Sequence, residues 1–333
     1  MTRPRISLIS LGGTISMTGK GGEGVVPALT TQAILGSVPR TGEVADIEAV
    51  PFRQVPGAHL VEDDVIELAS VIESRVQGGT EGIVVTQGTD TLEESAFLLE
   101  SILNVDVPVV LTGALRNPDM AGSDGPANLL AALLTAASPS SRGLGALVVI
   151  NDQIHSARFV RKVHASSPSA FASPLTGPIG WVSEGNVRIV ARPARTPSLS
   201  IPKGSRTPPV ALLKATLGDD GRLVQAARDL AFEGLVIEGF GGGHVPPGVA
   251  DALEAAASVM PVVLASRTGS GEVLQRTYGF IGSESDLIRR GLIPAGYLDG
   301  LKARLLLSLL LRSGATRRDI VQAFRERSIV SFI

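Results

Sequence analysis

Two threonines, each on a glycine turn that ends an apolar run, carry the most chemistry in this chain: Leu11-Gly12-Gly13-Thr14 and Gln87-Gly88-Thr89-Asp90-Thr91. A threonine hydroxyl is a weak nucleophile at neutral pH. It attacks a carbonyl only beside a base and donors aimed at the developing oxyanion. Open α/β sheets bind ligands in the crevice outside the carboxyl ends of their strands, so two such turns on neighbouring strands would bring both hydroxyls against one substrate. Thr91-Leu92-Glu93-Glu94 has capping-box spacing, which predicts a helix starting at Thr91 with Thr89 and Asp90 in the turn before it. Free N–H groups at that helix end favour negative charge on a substrate oxygen. Read locally, Thr91 fits a plain helix cap equally well. Gly12-Gly13-Thr14, read locally, fits a plain turn better than a catalytic one, although it has neither the G-x-G-x-x-G spacing nor the lysine of a phosphate loop.

The elements that must hold these turns are legible as an alternation of β-rich and helix-like segments. Strands are expected at Ile6–Ser10, Gly82–Thr86, Val107–Thr112 and Ala146–Ile150, with helices at Val65–Val76, Glu93–Leu103 and Pro126–Ala137. Continuous apolar strands such as Leu147-Val148-Val149-Ile150 are buried on both faces, which implies a parallel sheet between helix layers. From Ile154 to Ala191 the pattern becomes hairpin-like, with a turn at Glu184-Gly185-Asn186. Residues 191–209 hold five prolines and read as a linker. Beyond it, strands at Pro209–Ala215, Gly234–Glu238 and Pro261–Ser266 alternate with helices at Leu223–Phe232 and Val249–Val259. Helices at Leu301–Arg312 and Asp319–Arg327 close the chain, the last behind a capping box at Thr316–Asp319. The expected fold is α/β in two domains: residues 1–190 with a doubly wound, mainly parallel sheet, and a smaller α/β domain over residues 210–333.

Composition narrows the function. The chain has 333 residues, 44% apolar and 19% charged, with 30 basic against 32 acidic residues and a net charge of −2. That balance gives no electrostatic footprint for nucleic acid or an anionic membrane and suits a small-molecule partner. The absence of cysteine removes thiol catalysis, disulfides and thiolate metal ligands. His59, His155, His164 and His244 have no metal-ligand spacing, so neither a metal nor a cofactor is expected. Leu305–Leu311 falls far short of the ~20 apolar residues that span a bilayer and reads as a buried helix. The start, Met1 to Arg5 before a short glycine-broken run, does not resemble a secretory signal, and a cytoplasmic location is expected.

Ile9-Ser10-Leu11-Gly12-Gly13-Thr14-Ile15-Ser16 and Val85-Thr86-Gln87-Gly88-Thr89-Asp90-Thr91 resemble two signatures of the bacterial-type L-asparaginases. Leu111 to Arg116 with Ser123 to Leu129, Asn151 to Lys162, Ser266 to Gly271 and Lys302 to Arg304 are similar to further family stretches in the same order. The resemblance implies hydrolysis of an amino-acid amide through an acyl-threonine. It makes Thr14 the nucleophile and places Thr89, Asp90 and Lys162 across the substrate, with Gly57, Ala58, Gly88, Thr89, Asp90 and Ala114 as substrate contacts. A lysine can relay the proton only when burial makes its ammonium less stable, and Asp90 beside it pulls the other way. Locally, Arg158, Arg161 and Lys162 read as a solvated basic cluster in an exposed hairpin, and only the resemblance gives Lys162 a role. It also implies a homodimer or homotetramer in which Gly282 to Asp286 lies near a neighbouring subunit's site.

The chain departs from the family pattern at three places. The loop after Thr14 normally carries an activating tyrosine, yet Lys20 to Pro27 has none, so activation is expected from Glu23 or a neighbouring subunit. Four glycines from Gly19 to Gly24 fit a closing lid and a plain surface loop alike. At Pro56-Gly57-Ala58-His59 the usual side-chain donors to the substrate's α-carboxylate and α-amine are missing, leaving backbone groups. Losing a donor to a charged group costs ~1.5–3 kcal/mol. Gly241-Gly242-Gly243-His244 stands where Gly-Asn-Gly-Asn is common. The missing tyrosine and the altered carboxylate pocket motivate the alternative of a catalytically weak or silent amino-acid-binding sensor of the same fold.

Overall fold

The computed structural model describes residues 3–19, 24–39 and 41–332. The chain forms two compact units, residues 1–198 with 332–333 and residues 199–331. The division falls inside the proline-rich stretch.

The first unit contains β1 (Arg5–Gly12), β2 (Met17–Thr18), β3 (Val26–Pro27), α1 (Thr31–Gly36), α2 (Thr41–Val44), β4 (Asp46–Val55), α3 (Glu62–Gln77), β5 (Gly82–Thr86) and α4 (Leu92–Ile102). It continues with β6 (Val109–Thr112), α5 (Gly125–Ala137), β7 (Ala146–Ile150), β8 (Gln153–Ser156), β9 (Arg161–Lys162), β10 (Phe171–Ala172), β11 (Gly180–Ser183) and β12 (Asn186–Ile189). Eight strands form one sheet in the order β12-β11-β8-β7-β6-β5-β1-β4. The run from β4 to β7 is parallel, and β8, β11 and β12 add antiparallel strands at one end. β5, β6 and β7 are buried along their whole length, because α5 covers one face and α4 packs on β6 and β7.

Strand order locates the crevice. After β1 the chain crosses to β4 on one side and returns to β5 on the other, so the order reverses between β1 and β5. Their carboxyl ends are therefore the topological switch point, where an open α/β sheet leaves room for a ligand. The Thr14 and Thr89 turns follow those two ends.

β4 was not expected, and its residues explain why. Pro51 interrupts it and its burial does not alternate, yet β4 is an edge strand paired only with β1, where a missing N–H is tolerated. The expected lid lies largely outside the described residues, Glu23 included. Its arms are described, and β2 pairs antiparallel with β3.

β9 and β10 form a separate pair, with Lys162 opposite Phe171. His155 on β8 ties that pair to the main sheet through Nδ1 and Ser173 Oγ, 2.9 Å apart. The ring is almost fully buried, and burial pushes its pKa down to about 4. An unfolded chain takes up that proton near pH 6.5, whereas the folded chain does so only near pH 4. Stability is thus lost as pH falls from about 6.5 to about 4, by up to ~3 kcal/mol from this one group. Thermal midpoints measured from pH 7 to pH 4.5 should drop further for the parent than for His155→Gln. Equal slopes would remove this attribution.

The second unit contains β13 (Val210–Lys214), α6 (Arg222–Asp229), β14 (Gly234–Gly239), α7 (Pro247–Ala257), β15 (Val262–Ser266), α8 (Glu284–Arg289), β16 (Ile293–Pro294), α9 (Gly300–Arg312) and α10 (Arg317–Arg327). Its four strands are parallel, in the order β13-β14-β15-β16. α6 and α7 supply one core cluster, and α9 packs on β13, β14 and β15 with the Leu305–Leu310 run buried. The capping box before α10 is made in full, with Thr316 Oγ1 accepting from Asp319 N. Among the described residues, no helix is long and apolar enough to cross a membrane.

Candidate functional site

Three glycines bring the site together. Gly13 has φ +83 and ψ −177, a conformation nearly confined to glycine. A Cβ on Gly13 would overlap the backbone N and Cα of Gly88, and one on Gly88 would lie 2.8 Å from Gly57 N. The turns after β1 and β5 and the Gly57–His59 turn of 3-10 helix thus touch backbone to backbone. Gly13→Ala is expected to cost about 3 kcal/mol in a denaturant titration, from strained φ and displaced Gly88 together. A loss below about 1 kcal/mol would mean that the contact is dispensable.

Thr14 opens a 3-10 turn over Thr14–Ser16, anchored by Ser16 Oγ donating to Gly13 O at 2.8 Å. Its side chain is half-buried, and its hydroxyl has no partner among the described residues. Thr89 is buried at the head of the next turn, Thr89–Thr91. Lys162 Nζ donates to Thr89 Oγ1 at 3.0 Å and to Asp90 Oδ1 at 2.7 Å. The lysine side chain is only 13% exposed while that of Asp90 is 71% exposed, so the ammonium is sheltered and the carboxylate faces outward. Arg158 is also buried and donates to Ala194 O. The solvated basic cluster expected from local sequence is therefore not what forms.

The expected capping box at Thr91 is not made. α4 begins at Leu92, and Thr91 forms no side-chain cap. Its hydroxyl donates instead to Gly57 O at 2.9 Å and accepts from Gln87 Nε2 at 3.0 Å. The hydroxyl is thus turned to a carbonyl 34 residues away, and it accepts from the Gln87 amide rather than from a backbone N–H of the helix.

The Gly113–Ala114 turn after β6 closes another side, since a Cβ on Gly113 would lie 3.1 Å from Thr89 Cγ2. Two residues unassigned from sequence shape this turn. Asp124 accepts from the N–H groups of Leu115 and Arg116, and Asn128 Nδ2 donates to Gly113 O. Their only sequence signal was membership of the Ser123–Leu129 stretch. Ser123 lies in the turn before α5, its N–H donating to Met120 O.

In the second unit, the Gly241–His244 turn and α8 meet. His244 Nε2 lies 3.1 Å from Glu284 Oε2, and Glu284 Oε1 accepts from the N–H groups of Thr277 and Tyr278. Burial pushes the Glu284 carboxyl up, but those N–H groups and the His244 ring outweigh it and hold it below the usual carboxylate range. Tyr278 and Phe280 both pack edge-on to the His244 ring and are about half exposed.

The comparisons with known proteins agree over nearly the whole chain. Residues 5–195 match the family "Asparaginase, N-terminal", and residues 209–324 match "Glutaminase/Asparaginase C-terminal domain". A probable L-asparaginase of Deinococcus radiodurans is 39% identical over 97% of this chain and 98% of its own length. An L-asparaginase of Bacillus licheniformis is 34% identical over 93% and 96%. The crystal structure of a probable cytoplasmic L-asparaginase from Campylobacter jejuni superposes with a TM-score of 0.89 at 30% identity, covering 97% of this chain and all of that one.

Proposed function

The chain belongs to the asparaginase family, and we propose that it hydrolyses the side-chain amide of L-asparagine at the carboxyl ends of β1 and β5, with Thr14 as nucleophile. Thr14 Oγ bonds to the amide carbon, the C–N bond breaks, and ammonia leaves with the proton the hydroxyl gives up. Water then cleaves the acyl-threonine, releasing aspartate and restoring the hydroxyl.

The observation that carries this reading is Lys162 Nζ on Thr89 Oγ1 at 3.0 Å, on a turn whose Gly88 abuts Gly13. The lysine occupies one lone pair of Thr89, which leaves the Thr89 O–H free to turn toward substrate. In this reading Lys162 relays the proton through Thr89. Asp90 receives the α-amino end, the backbone of Gly57, Ala58 and Gly88 receives the α-carboxylate, and Thr89 and Ala114 contact the amide. The Thr14 hydroxyl, without a partner among the described residues, is the attacking atom in this reading.

The same proposal includes a cytoplasmic homodimer or homotetramer. The Campylobacter jejuni neighbour is described as cytoplasmic, and the half-exposed Tyr278 and Phe280 beside Glu284 suit a contact with another subunit. A coupled ammonia assay tests the activity. Asparagine should give ammonia and aspartate in equal amounts, with glutamine as comparator. No ammonia from either would overturn the hydrolase reading.

A further inference from the structure

Gln87 is fully buried. Its Nε2 donates to Thr91 Oγ1, while its Oε1 has no partner among the described residues. A buried amide left half-satisfied is costly and calls for a reason. The reason lies at the other end of the chain of hydrogen bonds. Gly57 O can only accept, so the single proton of Thr91 points to it, and the Gln87 group facing Thr91 must be the NH2. The relay is therefore directional, from amide to hydroxyl to carbonyl.

That carbonyl belongs to the peptide unit that also carries the Ala58 N–H. The unit is trans, so fixing the C=O fixes the N–H in the opposite direction. Gly57 O is gripped twice, by Thr91 Oγ1 at 2.9 Å and by Leu60 N at 3.2 Å. The Ala58 N–H has no acceptor among the described residues, and Ala58 is exposed. The turn also leans on Gly88, one residue before Thr89. Neither Gly57 nor Ala58 has a side-chain donor, so the aim of this peptide is what the turn can offer an anion.

We propose that Gln87 and Thr91 are positioning residues that aim the Ala58 N–H at the α-carboxylate of the substrate, and so set KM for asparagine. The inference rests on the hydrolase reading above and goes beyond it by assigning recognition of one substrate group to a buried and a half-buried side chain that do not touch it.

The test compares asparagine with 3-aminopropanamide, the same amide without the α-carboxylate, using the full chain. Thr91→Val keeps the shape and removes the hydroxyl. It should raise KM for asparagine about 10- to 100-fold. Its kcat should change less than about threefold, and kcat/KM for 3-aminopropanamide should change as little. Thr91→Ser should restore the parent KM. The double variant Gln87→Met, Thr91→Val leaves no side-chain donor stranded and should recover the parent's thermal midpoint while KM stays high. An unchanged KM in folded Thr91→Val, or an equal loss on both amides, would overturn the inference. A parent chain that releases no ammonia from asparagine would instead overturn the hydrolase reading itself.

Discussion

Thr14→Ala should fold as the parent does and release ammonia from asparagine at least ~10^3-fold more slowly, because the atom that forms the acyl bond is gone. Stability should change by less than about 1 kcal/mol. The Thr14 side chain is half-buried and its hydroxyl has no partner to hold among the described residues. The same variant should still bind aspartate, since the proposed contacts to its α-carboxylate and α-amine come from Gly57, Ala58 and Asp90. Steady-state ammonia release and calorimetric titration with aspartate measure the two effects separately. A variant that keeps a tenth of the parent rate would remove Thr14 from the chemistry.

Lys162→Met should lower kcat by about 10^2- to 10^4-fold, the range that a positioned proton-transfer group supplies. Methionine fills nearly the same space on β9, so the pairing of Lys162 with Phe171 can persist. What disappears is the donor to Thr89 Oγ1 and to Asp90 Oδ1. Asp90 would keep its outward-facing carboxylate for the substrate amine, so KM should change much less than kcat. A loss in KM alone, with kcat within tenfold of the parent, would make Lys162 a binding group only.

The parallel core was legible because its strands are continuous apolar runs. Gly82–Thr86 and Ala146–Ile150 fold over the residues expected, buried on both faces. β4 was hidden by Pro51 and by an edge position that leaves one side unpaired. Thr91 misled for a different reason. Capping is a local rule, and Gly57 is brought within reach only once three glycine backbones have packed together. Lys162 read locally as one of several solvated cations, because the burial that singles it out depends on Thr89 and Asp90, more than 70 residues earlier. Asp124 and Asn128 were silent for a related reason. Their partners include backbone atoms of the 113–116 turn, which no side-chain pattern announces.

A crystal structure of the chain with aspartate bound is the most direct test. It should place the side-chain carboxylate between Thr14 Oγ and Thr89 Oγ1, the α-amine on Asp90, and the α-carboxylate on the backbone of Gly57 and Ala58. Aspartate seated elsewhere, or held with its side chain turned away from Thr14, would contradict the account.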